Sequence, residues 1–162
     1  MIELRPEPLT AEAFRPFGDV IETTGAYELI NSGTTQKFAD LAKIDVSTNG
    51  GRACISIYRA SPYEFPLTIR MLERHPLGTQ LFMPLHREPF LIVVAPAGDR
   101  IESSVVRAFI TNGRQGINYH RGTWHHPLIA LSVQSEFLII DRAGGANCDE
   151  QWLEGQQLLL AP

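Results

Sequence analysis

Three of the chain's five histidines, His120, His125 and His126, fall within seven positions, and a fourth, His75, stands two residues after Glu73. Imidazole and carboxylate groups held together can transfer protons near neutral pH or ligate a divalent metal ion. Either role needs them on one face. Side chains alternate along a strand, so Ile69, Met71, Glu73 and His75 share a side if this segment is extended. Two apolar residues mark that side as interior, which aims Glu73 and His75 into the mouth of a β-structure. The opposite orientation would bury Arg70 and Arg74, which is worse. A buried carboxylate and imidazole must be paired, ligated or hydrogen-bonded to offset their lost hydration. The competing reading is a wet Glu–His pair at a strand end, because charged side chains are seldom fully buried.

The second cluster runs from Asn118 to His126. Arg121-Gly122-Thr123 reads as a tight turn. On the extended segment beyond it, His125 and His126 point to opposite faces, so at most one of them joins a given site.

The elements that must carry these groups are strands. Short runs rich in Val, Ile, Phe and Tyr recur between Gly, Pro, Asn and Asp residues. Strands are predicted at Asp19–Glu22, Tyr27–Ile30, Lys43–Val46, Arg52–Ala60, Leu67–His75, Gln80–Pro84, Phe90–Ala95, Val105–Ile110, Ile117–His120, Leu128–Val133 and Phe137–Asp141. One short helix is predicted near the start, capped by Thr10, running through Ala11-Glu12-Ala13-Phe14 and stopped by Pro16 and Gly18. The tail from Asp149 to Leu160 reads as a short helix or a docking arm whose Trp152 and leucine run need cover, for which a partner subunit is one candidate. Many short strands without a repeat or linker predict an all-β sandwich or barrel, one domain over residues 1–162.

Net charge is −4, from 14 Lys and Arg against 18 Asp and Glu, with no basic stripe, so nucleic acid is not expected as a partner. The N-terminus lacks the apolar segment of a signal peptide, and the longest apolar run, Phe90 to Ala97, is too short to span a bilayer. Cys54 and Cys148 read as reduced thiols, and the expected location is cytoplasmic.

The blocks Glu73-Arg74-His75-Pro76-Leu77-Gly78-Thr79-Gln80, Asn112 through Pro127, Phe14-Arg15-Pro16-Phe17-Gly18-Asp19-Val20-Ile21, Ile30 through Phe38, and Asn147-Cys148-Asp149-Glu150 together resemble the ureidoglycolate lyase family over nearly the whole chain. The resemblance implies a cupin-type double-stranded β-barrel, a homodimer, a small-molecule substrate and no organic cofactor. It also implies cleavage of ureidoglycolate to glyoxylate and urea late in allantoin breakdown, with nickel as the associated metal. Metal-binding cupins carry His-x-His, then Glu after four intervening residues, then a His after a Gly-containing turn. Here Glu73-x-His75 stands in the first place, Gln80 in the second, and His125 after the Gly122 turn in the third, with His120 replacing a proline. Glutamine is a poor transition-metal ligand, so any ion would rest on Glu73, His75 and His125.

The implied reaction is the collapse of a carbinolamide. It needs a base for the hydroxyl proton, an acid for the leaving nitrogen and an anchor for the carboxylate. His75 or His125 is the expected base, and the other, or His120, the acid. Glu73 would orient an imidazole, and Gln80 would hydrogen-bond the ureido or carboxylate group. Lys37, with Asn31 and Ser32 on the same loop, is the expected carboxylate anchor; Arg59 and Arg70 are its rivals. The alternatives are a metal-dependent cupin oxygenase, against which Gln80 weighs, and a non-catalytic small-ligand-binding cupin.

Overall fold

The computed structural model describes residues 2–153 and 158–161. In chain order the strands are β1 (Ile2–Leu4), β2 (Glu7–Pro8), β3 (Gly18–Ile21), β4 (Glu28–Ile30), β5 (Thr35–Lys37), β6 (Arg52–Ala60), β7 (Leu67–Ile69), β8 (Met71–Arg74) and β9 (Gln80–Pro84). They continue with β10 (Phe90–Ala95), β11 (Arg107–Ile110), β12 (Gly116–Tyr119), β13 (Trp124–His125), β14 (Ile129–Ala130), β15 (Ser135–Ala143), β16 (Asp149–Trp152) and β17 (Leu158–Leu160). The one α-helix among the described residues, α1, is Ala11–Phe14, and the Thr10 hydroxyl caps it by accepting from the Ala13 amide. The chain is all-β and cupin-like in its arrangement.

Two sheets carry the architecture. One has the order β3-β12-β9-β15-β6; the other runs β16-β8-β13-β10-β11-β2, with β14 also paired to β10. A core cluster fills the space between them, with Ile117, Tyr119, Phe82, Phe137 and Ile139 from the first sheet meeting Phe90, Ile92, Val94 and Phe109 from the second. Helix α1 adds Phe14 to this cluster. The alternate residues of β10, Leu91, Val93 and Ala95, belong to a second cluster. That cluster is covered by the three-stranded sheet β1-β17-β7 through Leu4, Ile69 and Leu160. Strand β10 is thus apolar on both faces because it has a core on both sides.

Three expectations change. Lys43–Val46 is not a strand; its backbone runs irregularly, the Lys43 carbonyl accepting from Asn118 and the Asp45 amide donating to Thr79. Leu67–His75 is two strands, not one. The chain leaves one sheet at Ile69 and joins another at Met71, with Arg70 between. The described part of the tail is not helical: β16 pairs with β8, and β17 lies between β1 and β7, where Leu160 is fully buried within this chain. The remainder of the predicted tail segment, residues 154–157, lies outside the described residues.

Candidate active site

The site sits at one end of the inter-sheet core, and strand register explains its membership. Residues directly opposed in an antiparallel pair share a face. His125 on β13 opposes Glu73 on β8 and Val94 on β10, and Val94 faces the inter-sheet core. Glu73 and His125 therefore face inward together. His75, two residues past Glu73, takes the same side. Leu72, on the other face of β8, is fully buried in the second core, and Arg74 beside it lies over the Trp124 ring and donates to Asp149. The feared burial of an arginine is thereby met by stacking and a carboxylate. Gln80 opposes the inward-facing Tyr119, and Asp141 continues the inward face set by Phe137 and Ile139.

The turn before His125 is tied to the strand that carries Glu73. Gly122, at φ 75°, donates its amide to the His75 carbonyl at 3.0 Å, and Thr123 donates to the His120 carbonyl at 3.2 Å. The positive φ suits glycine at this bend.

Both imidazoles are oriented from behind. His75 Nδ1 lies 2.7 Å from the Asn147 carbonyl, and His125 Nδ1 lies 3.0 Å from the Thr123 carbonyl. A carbonyl only accepts, so each Nδ1 carries the proton and each neutral ring keeps a lone pair at Nε2. The two Nε2 atoms stand 3.8 and 3.5 Å from Glu73 Oε1, are buried, and have no hydrogen-bond partner among the described residues. Their ring centroids are 5.2 Å apart. Tyr119 stacks on His125 at 4.1 Å and 13°, fixing its plane. Burial, with the Glu73 charge adding to it, drives the Tyr119 hydroxyl far above its ordinary range, so it stays neutral. For Glu73, burial pushes the carboxyl up. The nearby His125, His75 and Cys148 side chains outweigh it by favouring the carboxylate, leaving the carboxyl below its ordinary range.

One carboxylate oxygen and two imidazole nitrogens lying within 4.8 Å of one another fit a divalent cation of borderline softness. The two orphaned Nε2 lone pairs are the observation that supports this fit. Glu73 also groups with Cys148 and Glu150, so that cluster is an outer extension of the same site.

A cavity of about 680 Å³ opens onto this end, lined by Tyr58, Arg59, Glu73, His75, Gln80 and Asp141 among others. His75 is on its wall, whereas His125, 1% exposed, lies behind. Burial, then the charges of Asp141 and Glu73, keep the Tyr58 hydroxyl protonated above its usual range.

The structure does not bring every expected residue here. His120 falls on the opposite face of the segment from Tyr119, and its Nε2 pairs with Asp19 Oδ1 at 3.1 Å in a half-exposed contact. Asn31, Ser32 and Lys37 belong to the β4–β5 hairpin, a separate two-stranded sheet. Asn31 and Ser32 make its turn at positive φ, and Lys37 pairs with Glu28 at 3.5 Å. None of the four lines the cavity. Of the three cations weighed as carboxylate anchors, only Arg59 lines it, with its guanidinium held by Glu136 at 2.7 and 2.9 Å. His126 turns the other way, its ring against Tyr63.

Sequence reasoning overlooked Asp141, Tyr58, Tyr119 and Asn147. Asp141 had a signal: Phe137-x-Ile139-x-Asp141 places an acid on the inward face of a strand. Asn147 stood in a family-like block, but its role as the carbonyl behind His75 depends on a contact 72 positions away.

An all-β fold with oriented imidazoles and a carboxylate at a cavity wall has the build of a small-molecule enzyme. A family model described as ureidoglycolate lyase matches residues 1–159. A ureidoglycolate lyase of Pseudomonas fluorescens (strain Pf0-1) is 56% identical over 165 aligned positions, covering 100% of this chain and 99% of that protein. Those of Pseudomonas syringae pv. tomato and Pseudomonas aeruginosa (strain LESB58) are each 55% identical, covering all of this chain and 97% and 98% of theirs. The chain belongs to the ureidoglycolate lyase family.

Proposed function

We propose that this chain cleaves ureidoglycolate to glyoxylate and urea, and that Glu73, His75 and His125 are its working centre. The observation that carries the reading is the convergence of two buried, unpartnered Nε2 lone pairs on one carboxylate at a cavity wall. Family membership over the full chain supports the same reaction.

In this scheme His75 Nε2 takes the hydroxyl proton. The oxygen electrons form the glyoxylate carbonyl, the carbon–nitrogen bond breaks, and the proton passes to the departing nitrogen to give urea. Hydroxyl and ureido groups sit on one carbon, so a single imidazole can reach both and serve as base and then acid. Glu73 stabilises the imidazolium formed between these steps. Arg59, on the cavity wall, anchors the substrate carboxylate in place of Lys37.

A divalent cation, nickel among the candidates, would be held by Glu73, His75 and His125, and would supply Lewis-acid polarisation of the substrate hydroxyl. The same lone pair on His75 cannot both hold an ion and accept a proton, so the two versions exclude each other. We take the chain as one domain acting as a homodimer in the cytoplasm. The exposed apolar residues Ile55 and Ile57 on β6, Ile57 at the cavity rim, support self-association. No helix among the described residues is long and apolar enough to cross a membrane.

The test is release of glyoxylate and urea in equal amounts from (S)-ureidoglycolate by purified protein, with and without chelator. Activity that survives chelation assigns the proton transfer to His75; activity lost and restored by Ni²⁺ assigns activation to the ion. No release under either condition contradicts the reading.

A further inference from the structure

Beside the histidine pair, the cavity carries a second polar feature that the proton-transfer scheme leaves unused. Gln80 is 6% exposed and lies on the cavity wall, and its Oε1 is buried with no hydrogen-bond partner among the described residues. Its Nε2 donates to Asp141 Oδ2 at 3.5 Å, so the amide and the carboxylate sit side by side on the wall. Asp141 lines the same cavity and also the smaller compartment next to it, shared with Thr79, Asn147 and Cys148. The pair therefore offers a buried amide oxygen and a carboxylate, both acceptors, to whatever enters. An unpaired buried acceptor is costly, so a ligand that supplies N–H groups there is favoured over one that does not.

We infer that Gln80 and Asp141 form a subsite for the terminal –NH2 of a ureido group, with Gln80 Oε1 and the Asp141 carboxylate each accepting one N–H. This rests on the lyase reading for the identity of the substrate and adds the orientation in which that substrate binds. A substrate carboxylate is repelled by Asp141 and Glu73 and turns toward Arg59, at another part of the wall. With its two ends held apart in this way, the central carbon and its hydroxyl are presented to His75. Asp141 is thus a specificity-determining residue: it selects ureido compounds over amides and simple hydroxy acids of similar shape. A site built to hydrogen-bond a substrate N–H discriminates strongly against an isostere that lacks it, because its acceptors are then left unpaired.

The experiment uses two non-reacting probes that differ only at the terminal group. N-carbamoylglycine carries –NH2 where N-acetylglycine carries –CH3, and neither has the hydroxyl needed for cleavage. Calorimetric binding to the wild-type protein is expected to favour N-carbamoylglycine by at least about tenfold. In Asp141→Asn that preference falls to within about threefold, while glyoxylate inhibits the variant as well as the wild type. For turnover, Asp141→Asn raises KM for ureidoglycolate about tenfold or more with a smaller change in kcat. Equal binding of the two probes by the wild type overturns the subsite without recourse to any variant. Equal weakening of glyoxylate and N-carbamoylglycine in Asp141→Asn also overturns it, since that is general damage to the cavity. Wild-type protein that prefers N-carbamoylglycine yet releases no glyoxylate supports the subsite and refutes the lyase reading.

Discussion

The two ends of the inter-sheet core are built from the same pair of sheets and have opposite characters. At the closed end, α1 drives Phe14 against Phe109 in an edge contact at 5.5 Å, with Phe17 at 5.8 Å from Phe14 and 6.0 Å from Phe109. Phe14 and Phe109 are fully buried, and these rings have no polar atom to satisfy. At the open end the same layer finishes in His75, His125 and Gln80, which hold three of the five buried, unpartnered polar side-chain atoms among the described residues. Tyr119 bridges the two, touching Phe14 at 6.2 Å and stacking on His125. One end spends its burial on stability; the other keeps unsatisfied lone pairs in place for a substrate or an ion.

That contrast can be broken from either end. The largest effect is expected at the open end, where His75→Ala should lower kcat/KM for ureidoglycolate about 10³-fold, the scale of a lost acid–base group. Its thermal midpoint should fall only modestly, since the substitution removes one satisfied hydrogen bond, from Nδ1 to the Asn147 carbonyl, and Nε2 contributes none. Matched loss of activity and fold would mean that His75 is structural. At the closed end Phe109→Ala should cost about 3–5 kcal/mol, read as a lower denaturant midpoint, through lost transfer energy and a cavity. The molecules that remain folded should turn over at close to the parent rate. A smaller effect of the same kind is expected for Thr10→Ala, about 1 kcal/mol, because it removes the cap of the helix that seats Phe14. A change in KM in either closed-end variant would show that the two ends are coupled through Tyr119.

The same contrast explains what could be read in the sequence. Arg52–Ala60, Gln80–Pro84 and Phe90–Ala95 have the bounds predicted for them, because each is a run of strand-forming residues closed by Gly, Pro or Ser-Pro punctuation. The α1 cap was equally local. Strands that exist only through distant partners were not legible. Trp124–His125 is two residues long and is a strand because β8 and β10 flank it; β16 and β17 are fixed by β8 and by β1 and β7. The break at Arg70 has the same origin, since its two halves pair with different sheets. At the site, alternation and the Gly122 turn pointed to Glu73, His75 and His125, whose convergence needs only a strand and a bend. The same alternation, applied to Tyr119, would have turned His120 away. The hairpin bearing Asn31, Ser32 and Lys37 was drawn in by residue type and by its family-like block, and neither carries information about which side of the molecule a hairpin occupies.

The central claim is that both imidazoles hold their protons at Nδ1 and present bare Nε2 atoms to Glu73 and the cavity. Long-range ¹H–¹⁵N correlation spectra of the histidine side chains read this directly. The neutral rings of His75 and His125 should both show the Nδ1–H tautomer, and the Nε2 signal of His75 should move when N-carbamoylglycine binds. A neutral Nε2–H tautomer at either residue would contradict the account, because that ring would then have no lone pair to offer at the site.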